Sequence, residues 1–316
     1  MDEHVSADLD RRADDIGEGD KFRSGFVALI GRPNTGKSTF LNSVVGSKVS
    51  IVSEKPQTTR NRVRGILSRP DWQAVFIDTP GIHRPKHGLG AYMVSQARAA
   101  IKDVDLVLFF VDINAGIGGG DSFIADELSK VDLPVLLCLN KVDIEGEDGS
   151  ANTDISTLPI QPAGLFRISA LTGEGVEPLL EAIPGFLPEG PKYYPDEEVT
   201  DNPEEFVISE IIREKLLEAT EEEVPHSLAV VVERIRERAE KELLDIDATI
   251  YVEKDSQKGI VIGKGGRMLK GVGSLAREEL ESLFGIKVNL QLWVKQSKDW
   301  RRDKDKLRRY GYHESR

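Results

Sequence analysis

Five short apolar runs, separated by intervals long enough for helices, follow one another from residue 26 to residue 169. They are FVALI (26–30), AVFID (74–78), LVLFFVDI (106–113), PVLLCLN (134–140) and LFRIS (165–169). Strands that are apolar on both faces and alternate with helices are typical of a parallel sheet that helices cover on both sides. We therefore expect an α/β domain over residues 24–187, with a mostly parallel sheet and helices on both faces.

The pattern changes in LPEGPKYYPDEEVTDNP (187–203), whose four prolines predict a stiff, extended connector. We place this linker at residues 188–204. An amphipathic helix, two alternating strands, a helix that glycines open and close, and a third alternating strand are predicted beyond it. The segments are EEFVISEIIREKLLEAT (204–220), HSLAVVVERIRER (226–238), LLDIDATIYVEK (243–254), GRMLKGVGSLAREELESLFG (266–285) and IKVNLQLWVKQ (286–296). Their order predicts a separate α+β domain over residues 205–316.

Composition and charge refine this division. A chain of 316 residues with 39% hydrophobic and 30% charged residues is long and apolar enough for two globular cores. The net charge of −12 argues against nucleic acid, but residues 295–316 hold nine Lys/Arg against four Asp/Glu and predict a basic C-terminal tail. Residues 1–23 are acidic and poor in aromatic residues, which predicts a disordered tail.

The expected cellular compartment follows from what the sequence lacks. The single cysteine, Cys138, lies inside an apolar run and is predicted to be a buried residue. The chain shows neither a secretory signal pattern nor an apolar run long enough to span a bilayer. We therefore expect a cytoplasmic protein.

A phosphate-binding loop is predicted at GRPNTGKS (31–38), which follows the first strand and opens a helix. Its glycines let successive backbone N–H groups face a phosphate at the positive end of the helix dipole. Lys37 is placed to reach the β- and γ-phosphates, and the Ser38 hydroxyl is placed to bind magnesium. A glycine-rich turn with a solvated lysine is the structural alternative.

A second phosphate-sensing turn is predicted in DTPG (78–81). Asp78 ends an apolar strand and is placed to hold magnesium through a water, while the Gly81 N–H is placed to bond the γ-phosphate. An Asp-x-x-Gly sequence alone is also an ordinary turn, so its meaning depends on the loop at residues 31–38. The residue that follows, Ile82, has no polar group with which to hold an attacking water.

The base is indicated by NKVD (140–143). The Asp143 carboxylate can accept both the N1–H and the exocyclic amine of guanine, whereas adenine offers an acceptor in place of the ring donor. We expect Asn140 to tie this segment to the phosphate loop and Lys141 to cover one face of the base. In SAL (169–171), the Ala170 N–H is placed to meet guanine O6, and Ser169 braces the turn.

These motifs, in this order, resemble the P-loop GTPase domain of translation-factor-type proteins. VSEKPQTTRNRVRGI (52–66) resembles the first switch of that class, whose threonine completes the magnesium shell. Of the two adjacent threonines, the likeness to relatives carrying Thr-Thr-Arg favours Thr59 over Thr58. The implied nucleotide-binding residues are Gly31, Arg32, Pro33, Asn34, Thr35, Gly36, Lys37, Ser38, Thr39, Asp78, Thr79, Pro80, Gly81, Asn140, Lys141, Asp143, Ser169, Ala170 and Leu171. The implied metal ligands are Ser38, Thr59 and Asp78.

Two hypotheses account for hydrolysis without a glutamine at Ile82. Asn34 occupies the position at which Era- and MnmE-like GTPases are thought to recruit a potassium ion, which would neutralise charge between the β- and γ-phosphates. The alternative is slow hydrolysis, either unassisted or with a group supplied by a partner. The predicted catalytic residues are accordingly Asn34, Lys37, Thr59 and Gly81.

An RNA-binding loop is predicted in GIVIGKGGRMLKGV (259–272), between the apolar end of a strand and a helix. A G-x-x-G loop admits a nucleic-acid backbone without Cβ collisions. Beside it, Ile260, Val261, Ile262 and Leu269 are expected to form an apolar groove for unpaired bases. The segment resembles a type II KH domain, and the predicted RNA-binding residues are Ile262, Gly263, Lys264, Gly265, Gly266 and Arg267.

A P-loop GTPase followed by a KH domain resembles the Era family over residues 25–310. The resemblance implies a GTPase that uses GTP/GDP, Mg²⁺ and, under the hypothesis above, K⁺. It implies binding to the 3′ end of 16S rRNA and the 30S subunit, assistance to small-subunit assembly and rRNA maturation, no DNA partner and a loose association with the inner face of the membrane. The alternatives are a related GTPase acting on tRNA modification and a membrane-associated cell-cycle regulator.

The tail SKDWRRDKDKLRRYGY (297–312) has two interpretations. It is either a solvated amphipathic helix without a partner, or a segment whose Trp300, Tyr310 and Tyr312 contact RNA or anionic lipid headgroups.

The assignment of guanine to Asp143 predicts a change of base preference in Asp143→Asn. The asparagine amide offers one acceptor and one NH₂ donor group in place of two acceptors, so the binding free energy of GTP should weaken by about 1–3 kcal/mol. Xanthosine triphosphate should bind to the variant more tightly than to the unmodified protein. Isothermal titration with GTP, xanthosine triphosphate and ATP measures all three affinities. An unchanged order of affinities would contradict the base assignment.

Overall fold

The structure, a computed structural model, describes residues 22–82, 88–144, 154–238, 240 and 242–312. The predicted disordered tail lies outside the described residues, except for its last two positions. Arg23 already begins the first strand, so the predicted boundary at residue 23 is one residue late. Among the described residues, no helix is both long and apolar enough to cross a membrane.

The first domain contains a six-stranded sheet in the order β2-β3-β1-β4-β5-β6. All neighbouring strands are parallel except β2 and β3. The strands are β1 (Arg23–Gly31), β2 (Val63–Ser68), β3 (Trp72–Asp78), β4 (Leu106–Asp112), β5 (Val135–Asn140) and β6 (Gly164–Ile168). All five predicted apolar runs form strands. The sixth strand, β2, was not predicted, because its first residues were assigned to the first switch segment (52–66).

Helices cover both faces of this sheet, as predicted. They are α1 (Lys37–Val45), α2 (Gly88–Lys102), α3 (Gly119–Leu128) and α4 (Val176–Ala182), which continues as a short 3₁₀ helix over Ile183–Phe186. Phe40 of α1 and Leu179 of α4 are buried in one apolar cluster, and Ala97 of α2 and Ile124 of α3 in the other. The carboxyl ends of the parallel strands therefore meet at one edge, where the polar motifs lie.

The second domain is an α+β unit, as predicted. It contains α5 (Glu204–Ala219), β7 (Ala229–Arg238), β8 (Leu243–Val252), α6 (Asp255–Ile262), α7 (Arg267–Phe284), β9 (Lys287–Gln296) and α8 (Lys304–Arg309). In its sheet β7-β8-β9, the pair β7/β8 is antiparallel and the pair β8/β9 is parallel.

One element of this domain was predicted wrongly. The apolar residues before the G-x-x-G loop form helix α6, not the end of a strand. The Gln257 side chain accepts the N–H groups of Glu253 and Lys254 and so satisfies donors at the start of the helix. Within α6, Val261 is buried in the domain core, whereas Ile260 is 47% exposed. A short apolar run fits either element, and the capping glutamine decides for the helix.

The proline-rich linker is docked on the first domain rather than extended in solvent. Gln73 of β3 accepts the backbone N–H groups of Tyr193 and Tyr194 and donates to the Tyr194 carbonyl. The Ile66 N–H of β2 donates to the Val199 carbonyl at 2.9 Å. Because α5 begins at Glu204, the connector covers residues 188–203. It packs along the β2 side of the sheet, bonded to Ile66 of β2 and Gln73 of β3.

Both predictions for the C-terminal segment are wrong for its aromatic residues. Trp300, Tyr310 and Tyr312 are at most 8% exposed and pack with Leu89 and Met93 of α2 in a cluster shared by the two domains. The Trp300 indole donates to the Ser227 carbonyl at 2.9 Å. The aromatic rings of this segment face the domain interface, while the basic groups between them face outwards.

Arg60 joins the first domain to this aromatic cluster. Its guanidinium is 1% exposed and lies 5.9 Å from the ring centroids of both Trp300 and Tyr312. The group donates to the carbonyls of Leu228 and Pro225 and to the Tyr312 hydroxyl. A buried guanidinium needs such partners, so these contacts hold the two domains in one arrangement.

The chain offers a matched pair of tryptophans with which to test the domain interface. Trp300→Ala removes a fully buried ring and should destabilise the protein by about 3–5 kcal/mol. Trp293 is 43% exposed on β9, and its replacement by alanine should cost less than about 1 kcal/mol. Chemical denaturation of both variants measures the difference. Equal destabilisation would contradict the structural role given to Trp300.

Candidate functional site

The predicted phosphate loop joins β1 to α1 at the carboxyl edge of the sheet. Gly36 has φ 92°, and a Cβ at this position would lie 2.0 Å from the Asn140 side-chain amide, so only glycine fits. Lys37 is buried, and its ammonium donates to the Arg32 carbonyl at 2.8 Å. Burial lowers the pKa of Lys37 to about 8, and the nearby Asp78 carboxylate opposes part of this shift.

The three predicted metal ligands converge at one point. Ser38 Oγ lies 2.6 Å from Asp78 Oδ2 and 3.0 Å from Thr59 Oγ1, and Thr59 Oγ1 lies 3.4 Å from the same carboxylate oxygen. Asp78 is fully buried, and its Oδ1 has no hydrogen-bond partner among the described residues. Burial raises the pKa of Asp78, and the Lys37 charge together with the hydroxyl bonds opposes that rise. Hydroxyl and carboxylate oxygens, one of them unpaired, fit a divalent cation such as Mg²⁺.

The two adjacent threonines point in different directions. The Thr58 hydroxyl donates to the Lys55 carbonyl at 2.6 Å and stays within its own turn. The Thr59 hydroxyl faces Ser38 and Asp78. Of the two, only Thr59 is therefore placed as the sequence analysis favoured.

Sequence reasoning missed Ser50 and Asn42. The Ser50 hydroxyl donates to Asp78 Oδ2 at 2.8 Å. The Asn42 side chain bonds the backbone of Ser50 through both its oxygen and its nitrogen and fixes the turn after α1. Both residues belong to no motif, and their roles follow only from the approach of that turn to β3.

The base-binding segments are tied to the phosphate loop through Asn140, as predicted. Its amide donates to the Thr35 carbonyl at 2.8 Å, and its oxygen accepts the Ala170 N–H at 2.9 Å. The Ala170 N–H, predicted to meet guanine O6, is thus already paired with Asn140 in this structure. The Lys141 ammonium pairs with Asp112 at 2.6 Å, which extends its stem beside the expected position of the base.

Asp143 and Leu171 lie at the exposed end of the site. Asp143 lies in a short 3₁₀ helix, Val142–Ile144, and its side chain is exposed. Leu171 is also exposed, at 77%. Ser169 is buried, and its hydroxyl accepts the Thr172 N–H at 3.1 Å, which braces the turn as predicted. The region thus offers a carboxylate and apolar side chains to a flat ligand.

Ile82 takes no part in the polar site. It is 3% exposed and belongs to the apolar cluster beneath α2 and α3, and its N–H donates to the Gly31 carbonyl at 3.3 Å. On the opposite side of the loop, Asn34 has φ 63° and its amide donates to the Glu54 carbonyl. Asn34 therefore connects the phosphate loop to the first switch segment.

A single cavity of about 490 Å³ contains most of these groups. Predicted residues that line it are Pro33, Asn34, Gly36, Lys37, Ser38, Thr39, Thr59, Gly81, Asn140, Lys141, Asp143, Ala170 and Leu171. Seven lining residues lay outside the predicted nucleotide set, namely Ile51, Val52, Ser53, Glu54, Gln57, Thr58 and Ile144. Six of these lie in or directly before the first switch, and no local sequence pattern predicts that this segment folds over the cavity.

The other predicted nucleotide residues are not among those that line this cavity. They are Gly31, Arg32, Thr35, Asp78, Thr79, Pro80 and Ser169. Arg32 donates to Asp121, and the Thr79 hydroxyl donates to the Leu29 carbonyl at 2.7 Å, so these side chains support the loops rather than face a ligand.

The G-x-x-G loop is exposed at the start of α7. Gly263, Gly265 and Gly266 have φ of 71°, 61° and 75°, values that favour glycine. Lys264 and Arg267 are exposed. Of the residues predicted to form an apolar groove, Val261 instead faces the core, Ile260 is 47% exposed, and Leu269 lines a groove of about 400 Å³ between α7 and β9. Its lining includes Leu269, Lys270, Arg277, Asn289 and Leu292.

The fold and the site together define a P-loop GTPase joined to a KH domain. The family described as "50S ribosome-binding GTPase" matches residues 26–141, and the KH domain family matches residues 223–301. The chain is 53% identical over 298 residues to GTPase Era of Caldicellulosiruptor saccharolyticus, covering 92% of this chain and 98% of the relative. It is 50% identical over 295 residues to GTPase Era of Alkaliphilus oremlandii, covering 92% and 99%.

Solved structures give the same result. An Aquifex aeolicus Era variant bound to GDP and AlF₄⁻ matches with a TM-score of 0.88 and 38% identity, covering 93% of this chain and 100% of the other. A structure of Era in complex with MgGDPNP and nucleotides 1506–1542 of 16S ribosomal RNA matches with a TM-score of 0.89 and 38% identity over the same shares. The chain belongs to the Era family of GTPases.

Proposed function

We propose that this GTPase binds GTP in the cavity at the carboxyl edge of the first sheet and hydrolyses it with magnesium. The convergence of Ser38, Thr59 and Asp78, with one carboxylate oxygen unpaired, is the observation that carries this proposal. Lys37 and the backbone N–H groups of the loop neutralise the phosphates. Magnesium held by Ser38, Thr59 and Asp78 would neutralise charge on the β- and γ-phosphates; a solved structure of an Era relative contains MgGDPNP.

The guanine end of the site depends on Asp143. Its exposed carboxylate at the rim of the cavity is free to turn towards two adjacent donors of the base, and Lys141 and Leu171 line the same region. Gly81 follows Asp78 and lines the cavity, which supports a bond from its N–H to the γ-phosphate. Arg32 and Thr79 support the loops through their bonds to Asp121 and to the Leu29 carbonyl.

We propose that the second domain binds the 3′ end of 16S rRNA and that the protein acts in assembly of the 30S subunit and rRNA maturation. The exposed loop Gly263–Gly266, with Lys264 and Arg267 beside it, supports phosphate contacts. The groove between α7 and β9 has apolar, amide and basic groups for unstacked bases. The complex of the Era relative with nucleotides 1506–1542 of 16S rRNA supports this choice over tRNA.

A loose membrane association, with a cytoplasmic location, stays a prediction. The aromatic residues that were expected to reach lipid headgroups are buried between the domains. What remains exposed for an anionic membrane is the set of basic residues around α8, such as Arg302, Lys304, Arg308 and Arg309.

We propose further that a potassium ion assists hydrolysis at Asn34. The apolar burial of Ile82 leaves water positioning to other groups, and Asn34 meets the Glu54 carbonyl where the phosphate loop approaches the first switch. Amide and carbonyl oxygens suit a large monovalent cation, which would stabilise charge as it develops between the β- and γ-phosphates.

The RNA proposal predicts that Gly265→Asp abolishes rRNA binding without unfolding the protein. No heavy atom lies within 4 Å of a Cβ at Gly265, and aspartate tolerates a positive φ, so the new carboxylate mainly repels phosphate. Fluorescence anisotropy with an RNA of the 16S 3′-terminal sequence should show affinity reduced at least about tenfold, or about 1.4 kcal/mol. Gly185→Asp, the same change on the exposed surface of the first domain, should keep full affinity. Equal affinities of the two variants would contradict the assigned RNA site.

The potassium proposal predicts faster GTP turnover in potassium than in sodium buffer at equal ionic strength. We expect about a tenfold difference in kcat, or about 1.4 kcal/mol, which Asn34→Ala should remove. Asn202→Ala, in the linker and outside the nucleotide cavity, should leave the difference intact. Equal rates in the two buffers, or an unaffected Asn34→Ala variant, would rule out the ion.

A further inference from the structure

The residues on either side of Thr59 are both bonded to the second domain. The Thr58 carbonyl accepts a hydrogen bond from the Arg213 guanidinium of α5. The Arg60 side chain donates to carbonyls of Pro225 and Leu228, ahead of β7. Thr59 itself faces Ser38 and Asp78 in the first domain. Thr59, whose hydroxyl bonds to the first domain, therefore lies between two residues that are bonded to the second domain.

The Arg213 guanidinium is held in one orientation by Glu210 within α5. The Arg213 side chain is 1% exposed, and Glu210, one turn earlier in the helix, binds its Nε at 2.8 Å and its terminal nitrogen at 2.6 Å. This paired geometry sets the orientation of the guanidinium before it meets the switch. The carbonyl it holds belongs to the segment between α1 and β2, which has no regular secondary structure.

The next residue of α5 holds the other end of the same segment. Glu214 is 2% exposed, and its carboxylate accepts the Val52 N–H at 2.9 Å. Lys48 and Lys215 pair with the same carboxylate and balance its charge. Two successive helix residues therefore bind the first switch at Val52 and at Thr58.

The switch segment has little packing of its own to fix it. Val52 is 41% exposed, and Glu54 and Pro56 are exposed as well. The buried residues Thr58, Thr59 and Arg60 are buried through contacts with the metal-binding cluster and with the second domain.

We propose that α5 of the second domain positions Thr59 for magnesium-dependent hydrolysis, with Arg213 as a positioning residue that acts through the Thr58 carbonyl. The GTPase site is therefore complete only when the second domain is docked. This inference rests on the proposed assignment of Thr59 to the magnesium shell.

The test begins with Arg213→Gln in the full-length protein. We expect kcat for GTP to fall about tenfold and the Mg²⁺ concentration for half-maximal activity to rise. Affinity for GDP should stay within about twofold, because GDP is held by the phosphate loop and the base segment. Arg234→Gln, which removes an exposed ion pair to Asp247 on the second domain, is the matched control and should leave all three quantities unchanged.

A double-mutant cycle separates positioning from general destabilisation. If Arg213 acts through Thr59, then Arg213→Gln should reduce kcat little further in a Thr59→Ala background. Arg213→Lys keeps the charge and one donor and should give an intermediate rate; it replaces Arg213→Gln in the cycle if the glutamine variant fails to fold. Additive losses in kcat, or a fall in GDP affinity equal to the fall in kcat, would overturn the inference. Normal turnover in Thr59→Ala alone would instead refute the metal assignment on which it rests.

Discussion

The carboxylate of Asp78 is the group on which the arrangement of the first domain depends. It ends β3 in a fully buried position, where an isolated charge is strongly unfavourable, so it requires partners from other segments. Hydroxyls from α1, from the turn after it and from the first switch converge on one of its oxygens, while the other has no partner among the described residues. The buried Lys37 ammonium lies nearby and lowers the cost of burying this carboxylate.

The second domain is attached to the first through charges that are buried in the same way. Arg60 lies among aromatic rings and backbone carbonyls, and Arg213 and Glu214 reach the backbone of the switch from α5. These contacts flank Thr59, whose hydroxyl lies next to Ser38 and Asp78, so the candidate nucleotide site and the domain interface share one segment of chain. The docked proline-rich connector, bound along β2 and β3, reinforces the same arrangement.

Much of this could be predicted from the sequence, for reasons that are local. Strands of the first sheet are apolar on both faces, so their runs could be read directly, and the glycine-rich loop, NKVD and the G-x-x-G turn carry their chemistry in fixed spacing. Local patterns gave wrong predictions where a segment fitted two structures or two kinds of contact equally well. The apolar residues 259–262 fitted the end of a strand, but they lie in helix α6, whose start is capped by Gln257. The rings of Trp300, Tyr310 and Tyr312 looked like an RNA or lipid contact, because nothing in their own segment revealed the apolar face of α2 that covers them.

The sequence by itself determined the class of protein, the order of its two domains and the types of side chain that a guanine nucleotide and magnesium require, since each motif is a short stretch whose backbone and chemistry act together. Tertiary structure alone decided that Thr59 rather than Thr58 faces Ser38 and Asp78, that the Ser50 hydroxyl also bonds Asp78, and that Arg32 and Thr79 support the loops. It also decided that α5 holds the switch. These are distances between segments far apart in the chain, and they are fixed by packing and by the need to compensate buried charges, which no periodicity or spacing records.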